Sequence, residues 1–304
     1  MIFTDKLNAI VKKNNSLLCI GLDSDIDKIP SHIKNGPHPQ STYNKAIIDA
    51  TADLVCAYKP NSAFYEARGK AGIEALKMTC DYIRDKYPQI PIILDAKRAD
   101  IGNTNQGYIK FVFDYLGADA VTLNPYLGKE ALKSFLDRED KGIFILCRTS
   151  NPGAGEFQDL ILTNDDSSKA KKAPPRWPDL SAEALAKAEE TPRIAKPLYQ
   201  IVAQNISKNW NYNKNCGLVV GAPYPEELDI VRHIVGDEFP LLIPGVGAQG
   251  GDVEKTVKAG IDKDGKNVII NSSRSIIFAS SKDDFTEKAR SQAHKLRDEI
   301  NKYR

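Results

Sequence analysis

The sequence has no excess of charge of either sign. Its 304 residues include 42 lysines and arginines and 40 aspartates and glutamates, which leaves a formal net charge of +2. Proteins that bind nucleic-acid polymers or anionic membranes by electrostatic attraction carry a clear surplus of positive charge. The overall charge therefore gives no reason to predict a nucleic-acid polymer or a membrane as a partner.

Long apolar runs and disulfide patterns are also missing. No segment approaches the roughly 20 apolar residues that cross a bilayer. The N-terminal segment MIFTDKLNAIVKKNN contains Asp5 and lacks the apolar core of a secretory signal. The cysteines are odd in number and widely spaced: Cys19, Cys56, Cys80, Cys147 and Cys216. We predict reduced, buried thiols rather than a disulfide or metal set, and hence a cytoplasmic protein.

The sequence has no P-loop and no internal repeat, but short apolar runs recur along it. There are eight runs: Leu17–Leu22, Val55–Lys59, Ile90–Lys97, Ala118–Leu123, Gly142–Arg148, Gly217–Gly221, Pro240–Gly245 and Val268–Asn271. Being nearly continuous rather than alternating, they are typical of strands buried on both faces of a parallel sheet. Amphipathic helical patterns lie between them, at Glu74–Lys86, Gln106–Leu116, Gly128–Arg138, Lys196–Trp210, Pro225–Val235 and Asp252–Ala259, and a charged segment, Asp283–Tyr303, follows.

The length fits either two small domains or one large α/β domain. Eight strand patterns alternating with helices favour one closed (β/α)8 barrel, a TIM barrel over residues 1–304, rather than two Rossmann-like halves. One connection is too long, and we interpret residues 151–196, rich in Asp, Lys, Ser and Pro, as an insertion after the fifth strand. Loops that follow barrel strands form the active-site face, which predicts an insertion near the site. A peripheral decoration or a partly disordered lobe is the other interpretation.

Charged residues follow three neighbouring strands. Asp95 and Lys97 end the third strand and, being two apart, share one face of it. Asp100 follows where the strand should turn, while Lys59 ends the second strand and Asp23 follows the first. A structural ion pair would explain one such triplet. Ionisable groups at three adjacent strand ends instead indicate a catalytic rim, where a carboxylate keeps an ammonium protonated for proton donation to a carbanion.

The loops after the seventh and eighth strands suggest a phosphate site. The seventh strand is followed by PGVGAQGGD and the eighth by SSRSI. Glycines such as Gly245, Gly247 and Gly250 let backbone N–H groups approach an anion, Gln249 adds an amide, and Arg274 can pair with phosphate oxygens. A Gly-rich turn alone is often only a tight connection. Its combination with an arginine after strand eight points to phosphate.

These motifs resemble those of the orotidine 5′-phosphate decarboxylase family. The pattern D-x-K-x-x-D-I runs from Asp95 to Ile101, and CIGLDSD, YKPNSAFYE, LCRTSNPG, IPGVGAQGGD and NSSRSI occur in the family's order over nearly the whole chain. The first motif and the long insertion are most similar to the branch found in some bacteria and in malaria parasites. The resemblance implies decarboxylation of orotidine 5′-monophosphate to uridine 5′-monophosphate, the last step of de novo UMP synthesis, with no metal and no organic cofactor.

The resemblance also implies roles for particular residues. Lys59, Asp95, Lys97 and Asp100 would form the catalytic array, with Lys97 protonating the C6 carbanion. A homodimer is implied in which Asp100, Ile101 and Thr104 reach the partner's site. The other implied substrate contacts are Asp23 and Lys59 to the ribose, Thr149 and Ser150 to the pyrimidine, and Gly247, Gln249, Ser273 and Arg274 to the phosphate. No acidic phosphoribosyl-diphosphate loop is present, so an orotate phosphoribosyltransferase would be a separate partner.

Two alternatives remain at this point. Sugar-phosphate decarboxylases and aldolases of the same barrel superfamily share D-x-K-x-x-D but use Mg²⁺, which needs a further acidic ligand near the second strand. This chain has Lys59 there, with Glu66 a few residues on. The second alternative is a catalytically inactive barrel that binds nucleotides.

Overall fold

The computed structural model describes residues 1–163, 195–247 and 250–304. Its strands are β1 Leu18–Gly21, β2 Ala57–Lys59, β3 Ile93–Arg98, β4 Ala120–Leu123, β5 Gly142–Arg148, β6 Ile161–Thr163, β7 Ala195–Pro197, β8 Cys216–Val220, β9 Leu241–Pro244 and β10 Val268–Ser272. Eight of them pair in parallel, in the order β2-β1-β10-β9-β8-β5-β4-β3. Parallel bridges from Tyr58 to Ile92 and from Asn61 to Asp95 join the two ends of this sheet. The predicted (β/α)8 barrel is confirmed.

The strands are buried as the apolar runs predicted. Every residue of β1, β2, β4, β8 and β10 is buried. The cysteines are also buried and free, which agrees with the prediction of reduced thiols. Among the described residues, no helix is both long and apolar enough to cross a membrane.

Helices surround the barrel. They are α1 Phe3–Asn14, α2 Ser31–Lys34, α3 Pro39–Thr51, α4 Ala63–Glu66, α5 Gly69–Lys86, α6 Gly102–Ile109, α7 Gly128–Leu136, α8 Gly155–Gln158, α9 Leu198–Asn205, α10 Pro225–Val235, α11 Val253–Gly260, α12 Arg274–Ile277 and α13 Phe285–Lys302. Helices α6 and α9 continue into π-helical turns, Lys110–Tyr115 and Ile206–Trp210. Each predicted helical segment therefore corresponds to an observed helix, with differences at the ends.

Helix α1 packs against the amino-terminal end of β5. The Phe3 ring contacts the Phe144 ring edge-to-face at 5.6 Å. A side chain at Gly142 would collide with the Phe3 ring, because a Cβ there would lie 2.6 Å from its Cδ1 atom. Phe3 N also donates to the carbonyl of Asp140 at 3.1 Å. The amphipathic N-terminal segment is thus part of the barrel's packing.

The structure describes the two ends of the predicted insertion, and residues 164–194 lie outside the described residues. Strands β6 and β7 form an antiparallel ladder in which Thr163 pairs with Ala195. The chain therefore leaves and rejoins the barrel at neighbouring points. The expectation that the insertion covers the site falls on residues outside the described part.

Candidate active site

A cavity of about 210 Å³ opens at the carboxyl ends of the barrel strands. Eight of the predicted site residues line it: Asp23, Lys59, Asp95, Lys97, Thr149, Ser150, Ser273 and Arg274. Asp100, Ile101, Thr104 and Gly247 are not part of its wall, and Gln249 lies outside the described residues. Parallel strands deliver their carboxyl ends to one edge, which is why side chains from distant sequence positions meet here.

Asp95 lies between two ammonium groups. Its Oδ2 accepts a hydrogen bond from Lys59 Nζ at 2.9 Å, and its Oδ1 accepts one from Lys97 Nζ at 2.6 Å. The Lys59 side chain is 4% exposed and that of Asp95 12%, whereas that of Lys97 is 46% exposed. The pair of Lys59 and Asp95 is therefore buried, while Lys97 reaches it from the cavity.

The environment keeps both members of the buried pair charged. Burial alone would raise the pKa of Asp95, but the positive charges of Lys59 and Lys97 outweigh it and hold that pKa well below its ordinary value. Burial alone would lower the pKa of Lys59, but the carboxylates of Asp95 and Asp23 outweigh it and raise that pKa above its ordinary value. The cavity therefore contains fixed charges of alternating sign at neutral pH.

Strand β3 is irregular where these residues lie. Leu94 pairs with Val121 and Arg98 with Leu123, so β3 has more residues than β4 over the same stretch. Lys97 has φ of 47°, in the left-handed region that non-glycine residues rarely adopt. Its N–H donates to Thr122 Oγ1 at 3.0 Å, and Thr122 Oγ1 donates to Asp95 Oδ1 at 2.8 Å. Thr122 thus stabilises the strained turn that brings Lys97 beside Asp95.

The turn after β9 needs glycine. Gly245, Gly247 and Gly250 have φ of 102°, 80° and 83°, which L side chains adopt only with strain. A Cβ at Gly251 would lie 2.9 Å from the carbonyl oxygen of Gly245. Arg274, the first residue of α12, is exposed at the cavity, and none of the described residues forms an ion pair with it. Its guanidinium is available to an anion.

Several lining residues were missed by the sequence analysis. They are Asn61, Thr122, Leu146, Asn151, Val219, Leu242, Pro244, Val246, Asn271 and Ser272. Asn61 lies two residues after Lys59, so the alternation that singled out Lys97 could have found it. Thr122 and Asn271 are polar residues inside apolar runs, and a polar residue in such a run could have been recognised from the sequence as a candidate for the site. The apolar lining residues could not have been found in this way, because nothing in the sequence distinguishes an apolar residue of the cavity wall from one of the core.

Comparison with known proteins decides which family this site belongs to. Residues 16–173 match the family described as Orotidine 5′-phosphate decarboxylase / HUMPS family. Over 304 residues the chain is 45% identical to the orotidine 5′-phosphate decarboxylase of Janthinobacterium sp. (strain Marseille), covering 100% of this chain and 99% of that protein. The chain belongs to the orotidine 5′-phosphate decarboxylase family.

Solved structures of this family have the same fold. The Leishmania donovani OMP decarboxylase superposes with a TM-score of 0.77 at 32% identity, covering 100% of this chain and 99% of that one. The Plasmodium berghei orotidine 5′-monophosphate decarboxylase superposes with a TM-score of 0.73 at 25% identity, covering 99% of each chain. The resemblance to the branch that includes malaria parasites is thus seen in the structure as well.

In this member of the decarboxylase family, Asp100 does not contact the charged array of Lys59, Asp95 and Lys97 in the same chain. Its Oδ1 accepts a hydrogen bond from Ile101 N at 2.7 Å, and its carbonyl accepts one from Asn105 Nδ2 at 2.6 Å, at the start of α6. Ile101 is 64% exposed, and Thr104 is exposed on the same helix. These residues project from the barrel surface rather than into its cavity.

Proposed function

We propose that this protein decarboxylates orotidine 5′-monophosphate to uridine 5′-monophosphate in pyrimidine biosynthesis, with Lys97 as the proton donor. The observation that supports this most directly is the ionised Asp95 held between Lys59 and Lys97 at one end of the cavity. Loss of CO2 from C6 leaves a carbanion with no conventional electron sink, so the site must stabilise negative charge and supply a proton. A cationic ammonium beside C6 does both.

The residues of the charged array differ in burial, which supports different roles for them. Lys59 is buried and keeps Asp95 ionised, whereas the more exposed Lys97 can approach the substrate. Asp95 would lie beside the substrate carboxylate, and their repulsion would be relieved as CO2 leaves. After the C–C bond breaks, its electron pair remains on C6, and the proton moves from Lys97 Nζ to that carbon.

The rest of the cavity supports binding of a nucleotide. We assign Asp23 and Lys59 to the ribose, and Thr149 and Ser150 to the pyrimidine. Gly247, Gln249, Ser273 and Arg274 are assigned to the 5′-phosphate. An arginine beside a glycine-rich turn suits a phosphate because it combines bidentate pairing with close backbone approach. Binding energy from the phosphate can then hold the reacting ring against the charged array.

Assembly as a homodimer is part of this proposal. Asp100, Ile101 and Thr104 would complete the partner's site, because they lie outside the cavity of their own chain. Exposed apolar side chains support a contact surface here: Ile101 after β3 is 64% exposed, and Tyr126 and Leu127 after β4 are 91% and 50% exposed. Isologous dimers bury such patches against a second copy.

Three further parts of the proposal concern the organisation of the chain and its context. We propose one barrel domain over residues 1–304 with residues 151–196 as an insertion. A cytoplasmic location is supported by the free, buried cysteines. Orotate phosphoribosyltransferase, the enzyme class that forms this substrate, is proposed as a separate partner.

The magnesium-dependent alternative is not favoured. Glu66, the additional carboxylate that it requires, forms an ion pair with Arg98, whose guanidinium also lies 5.3 Å from the centre of the Tyr108 ring. Within the described parts of the chain, no group of three or more His, Cys, Asp or Glu side chains could hold a metal ion. An inactive nucleotide-binding barrel is also not favoured, because binding alone does not require an array of buried and partly buried charges of alternating sign.

The test is the absorbance change of orotidylate on adding purified protein, with and without EDTA. We expect full conversion to UMP in both cases, and no conversion would contradict the proposal. The Lys97→Ala variant should lose turnover while keeping the native circular dichroism spectrum. Lys133→Ala is the matched control, since it also removes a half-exposed lysine from an ion pair but lies on α7 outside the cavity. Near-normal rates for Lys97→Ala would mean that Lys97 is not the acid.

A further inference from the structure

Asn271 is a polar side chain in an otherwise apolar strand. It lies in β10, is 6% exposed, and pairs in register with Cys19 of β1 and Pro244 of β9. Its Nδ2 makes one long hydrogen bond, to Ser273 Oγ at 3.5 Å. Its Oδ1 is buried and has no hydrogen-bond partner among the residues that the structure describes. Turning the amide over would exchange these two atoms and still leave one of them without a partner.

The unpaired amide lines the same cavity as a second unpaired acceptor. Asp23 Oδ1 is also buried without a partner in the described part of the chain, and both residues are in the cavity wall. Gly21 makes this arrangement possible. A Cβ there would collide with Ser273 Oγ and would lie 3.2 Å from Asp23 Oδ2. The missing side chain therefore lets Ser273, to which Asn271 donates, approach Asp23 where β1 and β10 adjoin.

The chemistry of this group indicates what it binds. Two acceptor oxygens without donors suit hydroxyl groups, and the carboxylate of Asp23 disfavours an anion such as phosphate. The wall formed by β5, β8 and β9 is apolar there, with Leu146, Val219 and Leu242, and offers no partner for a hydroxyl. Buried acceptors that remain unpaired cost free energy, so a ligand hydroxyl gains both a contact and relief of that cost.

We propose that Asn271 is a specificity-determining residue that, together with Asp23, recognises a ribose hydroxyl of the nucleotide. The inference rests on the proposed decarboxylase function and adds a binding residue to it. The amide accepts from the hydroxyl through Oδ1 while Nδ2 donates to Ser273, which links ribose recognition to the strand end that begins the phosphate loop. An analogue without that hydroxyl would leave the amide oxygen unpaired.

The experiment compares orotidylate with its 2′-deoxy and 3′-deoxy forms as substrates of the wild type and of Asn271→Leu, which has a similar volume and no polar atoms. We expect KM for orotidylate to rise about tenfold in the variant, as for loss of one buried hydrogen bond, with a smaller change in kcat. The deoxy substrate that lacks the recognised hydroxyl cannot make this contact with either protein. For that substrate, KM of the variant and KM of the wild type should differ much less. A KM that does not change, or that rises equally for all three substrates, would overturn the proposal.

Asn14→Leu is the matched control. Asn14 donates to the carbonyls of Ala52 and Val55 at 2.9 and 2.8 Å and is not part of the cavity wall. This variant should lose stability without a change in KM. If Asn271→Leu does not fold, Asn271→Ser takes its place, and KM for the same three substrates is compared with that of the wild type. Wild-type protein that is inactive on orotidylate would contradict the proposed function itself, whereas active wild type with no substrate-dependent effect at Asn271 would contradict only this inference.

Discussion

Asp95 and Lys97 make similar hydrogen bonds, but their removal should affect stability differently. The Asp95→Asn substitution would leave the ammonium of Lys59 without its carboxylate partner, and the Lys59 side chain is only 4% exposed. Removing one partner of a buried ion pair typically costs about 3–5 kcal/mol. Lys97 is 46% exposed, and its loss leaves Asp95 still paired with Lys59. Urea unfolding should therefore show Asp95→Asn strongly destabilised and Lys97→Ala little changed; equal midpoints would contradict this.

The same comparison has a pH dependence of known sign. The pKa of Asp95 is held below its ordinary value of 3.8 by Lys59 and Lys97, against the effect of burial. A carboxylate with a lowered pKa contributes stability above its ordinary pKa and loses it as the pH falls through the lowered value. The difference in unfolding free energy between wild type and Asp95→Asn should be constant near neutral pH and shrink below pH 3.8. A difference that grows on acidification would contradict the ion-pair explanation.

Thr122 is a positioning residue in this site. Its hydroxyl bonds both Asp95 and the backbone of Lys97, so Thr122→Val removes two constraints at nearly constant volume. We expect kcat to fall about tenfold or more with a smaller change in KM, because the loss of these two hydrogen bonds shifts the positions of Asp95 and Lys97 rather than the affinity for substrate. Thr122→Ser should restore most of the rate. Thr51→Val, at another buried threonine that bonds Ile47 and Tyr58 outside the cavity, should lower stability without changing kcat.

At the scale of elements, the segment that starts the predicted insertion is attached to the end of β5. Arg148, 3% exposed, pairs with Asp159 through Nε and Nη2 at 2.8 and 2.9 Å, and its guanidinium lies 3.8 Å from the centre of the Tyr224 ring. Gln158 Oε1 accepts from Thr149 N at 2.8 Å. The three residues that directly follow Arg148, Thr149 to Asn151, line the cavity. The first residues of the predicted insertion therefore hold in place the loop that is proposed to contact the pyrimidine.

Asp159→Ala tests this bracing. The variant leaves a buried guanidinium without its carboxylate, so we expect the loop to shift and KM for orotidylate to rise several-fold, with some loss of stability. Asp53→Ala is the matched control, because Asp53 pairs in the same two-point manner with Arg290 but the pair is exposed and distant in sequence from the loop. Exposed pairs contribute about 0–1 kcal/mol. Equal kinetics for both variants would show that the ion pair does not position the loop.

Some elements were predictable from sequence and others were not, for identifiable reasons. The barrel strands are buried on both faces, which makes their apolar runs conspicuous. Helix α3, Pro39–Thr51, was missed because it buries Gln40, Ser41, Asn44 and Thr51 alongside its apolar residues. Asn44, for example, donates to Tyr65 and Thr79. A helix whose buried face is satisfied by hydrogen bonds shows little apolar periodicity.

At the scale of the whole molecule, the shared site can be tested by mixing two inactive variants, Lys97→Ala and Asp100→Ala. If Asp100 acts in the partner's site, each mixed dimer has one site with both residues intact and one site with neither. Random exchange of subunits should then restore about a quarter of the wild-type activity. If Asp100 acted within its own chain, every site would lack one residue, and mixing would restore nothing. Unmixed samples of each variant provide the baseline.

The sequence by itself determined the positions of the eight barrel strands along the chain, and it predicted an insertion and the residues of the site. These follow from local causes: apolar runs that form buried strands, and charges placed where strands end. The family motifs depend on the same positions, so the charged array and the glycine-rich turn after β9 are recognisable in the amino-acid sequence alone. The roles assigned to these side chains remain predictions that the proposed variants will test.

Only the tertiary structure decided how those residues meet. The closure of the barrel between Asn61 and Asp95, the left-handed backbone at Lys97 and the hydroxyl of Thr122 beside both charges depend on contacts between strands distant in sequence. The space at Gly21, and with it the unpaired amide of Asn271, arises where the first and last strands adjoin. Periodicity along one segment cannot reveal these features, because each is a property of packing between segments.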